Sequence, residues 1–113
     1  MLGPRLWAGV PYGNSTAFSD FCGTLELWFH ALGQQIHSLT GVSVAALPIG
    51  SGFGSPAWML SVQQMFADAC DALGIARPPD LADYDLRNQD DFTAWMFTVS
   101  QQGERLRVAS GLP

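Results

Sequence analysis

The sequence has 113 residues, 48% of them apolar and only 13% charged, with a net charge of −5. That length suits one domain that buries its own core without metals or disulfides, and the composition is too apolar for disorder. All five basic residues are arginines (Arg5, Arg77, Arg87, Arg105 and Arg107) and there is no lysine. The basic patch needed to bind nucleic acid or an anionic membrane is therefore missing, and neither is an expected partner. A surface this sparsely charged suits a subunit whose faces are covered by neighbours, or a monomer with a Ser/Gln/Thr-rich exterior.

Residues 1–14 carry Gly3, Pro4, Pro11 and Gly13, with Leu2, Leu6, Trp7, Val10 and Tyr12 between them. Prolines this dense oppose a helix and predict an extended arm whose large apolar side chains anchor on its own domain or on another subunit. The same prolines interrupt any apolar run, so the segment does not read as a signal peptide.

The first helix is expected over 15–40. Phe18, Phe21, Cys22, Leu25, Phe29, Leu32, Ile36 and Leu39 recur at three- and four-residue steps and form one apolar stripe. Ser15 or Ser19 is the expected cap at its start, and Gly41 closes it. Gly23 and Gly33 weaken its interior and offer places for another backbone to approach. The connection at 42–54, "VSVAALPIGSGFG", is not helical. Val42, Val44 and Ala46 alternate, which permits a short edge strand near 42–47 that Pro48 ends.

The second helix is predicted over 55–73, with Ser55 as N-cap and Pro56 in its first turn. Trp58, Val62, Met65, Phe66, Ala69, Cys70 and Leu73 mark its buried face, Gln63, Gln64, Asp68 and Asp71 lie away from it, and Gly74 stops it. Residues 75–89 form an acidic connection in which Pro78 and Pro79 bar continuation of the helix, and "DLADYDL" permits a further helical turn. The third helix is predicted over 90–109. Asn88 or Asp90 caps it, Phe92, Trp95, Met96, Val99, Gly103 and Leu106 form its stripe, and Asp90/Asp91 and Arg105/Arg107 suit the two ends of its dipole. These elements predict a single all-α domain over 1–113: a bundle of about three amphipathic helices with an N-terminal arm and a Gly-rich connection. Leu27, Trp28 and Phe97 fall outside the apolar stripes and are expected to leave apolar surface exposed.

The motifs of several chemistries fail. The glycine run Gly50-Ser51-Gly52-Phe53-Gly54-Ser55 has no lysine after it for a phosphate loop, and Ser55 stands where a dinucleotide fingerprint needs its third glycine. Ile49 stands where a hydrolase nucleophile elbow around Ser51 needs its first glycine. Asp83 and Asp85 begin like a calcium loop, but Arg87, Asn88 and Ala94 occupy its fifth, sixth and twelfth positions. Glu26, His30 and His37 share a helix face at four- and seven-residue steps, which makes them candidates for metal binding or acid–base catalysis in a small helical enzyme. His37 lies ~10 Å along the axis from His30, too far to share one ion with Glu26. A solvated polar face with an ion pair accounts for the same pattern. Cys22 and Cys70 lie on core stripes and read as buried free thiols, although spacing alone leaves a disulfide between them open. Synthesis in an intracellular, reducing compartment follows from that reading.

With no cofactor or metal set in view, the sequence points to a non-enzymatic structural or assembly subunit of a larger complex, such as a virion head or tail component. Its expected partners are other protein subunits in a homo- or hetero-oligomer. A small protein-binding regulator or inhibitor is the nearest alternative. The candidate interface residues are Leu2, Leu6, Trp7, Tyr12, Trp28, Phe53 and Phe97, since exposed aromatics and large aliphatics make interface anchors.

Overall fold

The computed structural model describes residues 2–45 and 52–113. It is all-α: a 3-10 helix at Pro4–Gly9, then α1 (Ser15–Thr40), α2 (Pro56–Leu73) and α3 (Gln89–Ser110), with no strand among the described residues. The expected edge strand does not form at 42–45, and the remainder of it lies outside the described residues.

Local chemistry sets the helix ends. Asn14, not Ser15 or Ser19, caps α1: its side chain accepts from the Ala17 amide at 2.9 Å, which leaves Ser15 as the first helical residue. Ser55 caps α2 by accepting from the Trp58 amide at 3.2 Å, with Pro56 in the first turn. Asn88 accepts from the Asp91 amide at 3.1 Å and starts α3. Each of α1, α2 and α3 ends on a left-handed glycine: Gly41, Gly74 and Gly111.

The N-terminal arm differs from the expected extended form. Its prolines bracket a helical turn and do not interrupt it. Pro4 sits in the first turn, where its missing N–H costs nothing, and Pro11 falls after the last helical residue. This short helix lies across α3, and Gly103 is the reason it can lie so close. A Cβ built on Gly103 would stand 2.7 Å from Trp7 Cζ3 and 3.1 Å from Pro4 Cβ. By contrast, a Cβ on Gly23 would meet nothing and one on Gly33 would make ordinary contact with the Val44 carbonyl. A backbone therefore does approach Gly33, at ordinary contact distance, and none approaches Gly23; the tight approach is at Gly103, and side chains make it.

The three helices and the arm enclose one core. Trp7 is fully buried, edge-on to Phe21 at 5.7 Å and to Trp28 at 5.2 Å. Phe29 meets Phe66 at 4.8 Å, and Trp95 lies between Phe21 and Trp58. Leu39, expected on the α1 stripe, is exposed in its last turn. The acidic connection has turns but no added helix. It is pinned at Leu81, which is fully buried. The Leu81 and Ala82 amides donate to Gln63 Oε1 at 3.0 and 3.1 Å, and Trp95 Nε1 donates to the Leu81 carbonyl at 3.0 Å.

Candidate interaction surface

The seven residues proposed as interface anchors fall into three groups. Leu2, Leu6, Tyr12 and Phe97 are exposed. Trp7 and Trp28 are not surface residues: the arm covers Trp28, which is 5% exposed, and the two indoles occupy each other. The apolar area that periodicity left over on Trp28 is thus used inside the chain. Phe53 is half-buried, edge-on to Trp58 at 6.2 Å.

Glu26, His30 and His37 do not converge. Glu26 is buried, against the expectation of a solvated face, and its charge beside Cys22 adds to the burial that pushes that thiol up to about 12. His30 is exposed and shares a 3.3 Å contact with Gln34 Nε2; His37 is exposed in the last turn of α1. Among the described residues no three His, Cys, Asp or Glu side chains gather as a metal ion requires. Cys22 and Cys70 are free, buried thiols, and burial raises both above the ordinary thiol range, which keeps them protonated and unreactive.

An unfilled concavity runs along the outer face of α3. It is an open groove of about 770 Å3. Phe97 and Val108 of α3, Ala8 of the arm and Ile75, just beyond α2, line it. Phe97 is 60% exposed and Val108 66%, the latter the most exposed large apolar residue among those described. The first stripe of α3 faces the core; the groove is its second stripe. At 100° per residue, Asp90, Ala94, Phe97, Gln101, Arg105 and Val108 all lie within about 40° of one line. Of these, only Phe97 was named as an interface residue from the sequence; Asp90 and Arg105 were read there as helix-end charges. Val108 was legible in the same spacing but was masked by the stronger core stripe, and Ala8 and Ile75 join it only through the fold.

The groove is polar at one end. Glu104 bridges the arm and α3: Arg107 donates to it, and Arg5 lies 3.6 Å away. The Arg107 hydrogen bonds hold the Glu104 carboxyl below the usual range. Four of the five arginines pair with a carboxylate. Arg105, on the groove, has none among the described residues. It donates to Gln102 and, at 2.9 Å, to the Ala76 carbonyl, which leaves three of its five N–H groups without a partner among the described residues. Ser100, 7% exposed on the groove wall, has a hydroxyl with no hydrogen-bond partner. Such a group costs ~1–3 kcal/mol until something satisfies it.

Among the described residues no helix is long and apolar enough to cross a membrane. No family model, curated protein or solved structure matches this chain.

Proposed function

We propose that this chain is a non-enzymatic assembly or interaction subunit that docks another polypeptide on the outer face of α3. The support is the combination found there. Phe97 and Val108 stand exposed in an apolar groove, and an unsatisfied buried hydroxyl and an arginine without a carboxylate line the same groove. Apolar anchors inside a partly polar rim are what protein interfaces are built from. The buried, protonated thiols and the separation of Glu26 from solvent-facing His30 and His37 favour a binding role over a catalytic one. Free buried thiols also suit synthesis in a reducing compartment. A structural neighbour in an assembled particle, such as a virion head or tail, and a target to be inhibited would use the same face.

The test is a photo-crosslinking amino acid placed at position 97, with position 64 on the outer side of α2 as control, in cells that make the chain. Protein adducts at 97 that are absent at 64 are the expected result. No adducts at 97, or equal labelling at both positions, would contradict the docking face.

A further inference from the structure

Resting on that docking face, we propose that its occupant is the α3 helix of a second copy of this chain, packed antiparallel about a twofold axis level with Phe97 and Thr98. The outer stripe of α3 is complementary to itself when reversed. Asp90 stands seven residues before Phe97 and Arg105 eight residues after it, so the point midway between the two charges falls beside Phe97. At 1.5 Å per residue each charge is ~11 Å from that point, on opposite sides. Turning a second helix end for end therefore brings Asp90 of one copy to Arg105 of the other, twice, with the two Phe97 rings meeting at the axis. Ala94 of each copy then faces Gln101 of the other.

Three further observations fit this occupant. Arg105 is the arginine whose fork has no carboxylate, and Asp90 is exposed with no basic partner among the described residues. The groove between Ala8 and Ile75 lies along the C-terminal half of α3, while the N-terminal half of the outer stripe carries the small residue Ala94. The slim half of one helix thus enters the groove of the other, and symmetry makes the contact reciprocal, as an isologous interface requires. Parallel pairing would set Asp90 against Asp90 and Arg105 against Arg105, so charge selects the antiparallel arrangement. A crossing angle of about 20° keeps both ion pairs within reach; a crossing of about 50° would splay them apart.

Sedimentation equilibrium of the full chain, from about 1 to about 300 µM, tests this. The expected result is a monomer–dimer equilibrium weakened at least tenfold by Phe97→Asp, with helicity by circular dichroism unchanged because residue 97 lies outside the core. Asp90→Arg alone and Arg105→Asp alone each place like charges across the interface and weaken the dimer. Mixing these two variants in equal amounts restores it, since the mixed dimer has an opposite pair at both ends. A monomer throughout, a dimer indifferent to Phe97→Asp, or no restoration on mixing would overturn the proposal. A monomeric chain that still forms specific adducts from position 97 would leave the docking face standing and make its occupant a different protein.

Discussion

Gly103 is the residue on which the arm depends. A methyl group there would fall 2.7 Å from the Trp7 ring, and that ring is held by Phe21 and Trp28 and cannot simply swing aside. Alanine gains ~1 kcal/mol over glycine in a helix interior, but overpacking a filled site costs ~1–3 kcal/mol. Gly103→Ala is therefore expected to destabilise the fold by about 1 kcal/mol, the middle of what the two effects leave, contrary to the usual sign for this substitution in a helix, as read from a lower denaturant midpoint. An unchanged or raised midpoint would mean that the arm does not seat on α3 as described. The position of Gly103 within the apolar stripe of α3 was legible from periodicity. That the stripe is notched there for a tryptophan almost a hundred residues away was not, because helical spacing says which face is buried and nothing of what lies against it.

At the scale of elements, the arm is the main revision to what the sequence suggested. Dense proline argued against a helix, yet Pro4 opens a 3-10 turn and Pro11 follows its end, so both fall where proline is tolerated. The consequence is that Trp7 faces inward. Trp7→Ala is expected to cost about 3–5 kcal/mol, the range for emptying a large aromatic site in a core, measured by equilibrium unfolding. A loss below about 1 kcal/mol would place the arm outside the cooperative unit. The α2 start at Ser55-Pro56 and the Asn88 cap of α3 were readable because the capping residue immediately precedes an apolar period. Asn14 was obscured by two serines that also make good caps. The alternation at 42–47 was weak evidence for a strand: pairing needs a second strand, and there is none among the described residues.

At the scale of the whole molecule, charge is unevenly distributed. Arg5, Arg105 and Arg107 meet at the C-terminal part of α3 with Glu104 as the one acid among them, while the other nine acidic residues lie elsewhere, five of them at 80–91. A helix with acid at its start and arginine at its end satisfies its own dipole. Here exposed Asp90 and half-buried Arg105 also share the outer stripe with Phe97, so the same distribution that stabilises the helix makes its surface self-complementary. The candidate site was thus half legible: Phe97 and the charges are in the sequence, whereas the groove exists only because the arm and Ile75 wall the helix.

The most direct measurement is a crosslink between single-cysteine variants, which the buried, unreactive Cys22 and Cys70 allow. Ala94→Cys and Gln101→Cys would be mixed in equal amounts and treated with a short bismaleimide. Antiparallel α3 helices centred on Phe97 put position 94 of one copy across from 101 of the other, whereas like positions are displaced ~11 Å along the axis. The account predicts efficient 94-to-101 crosslinking in the mixture and little in either variant alone. Crosslinking of each variant to itself as efficient as in the mixture, or none in any sample, would contradict it.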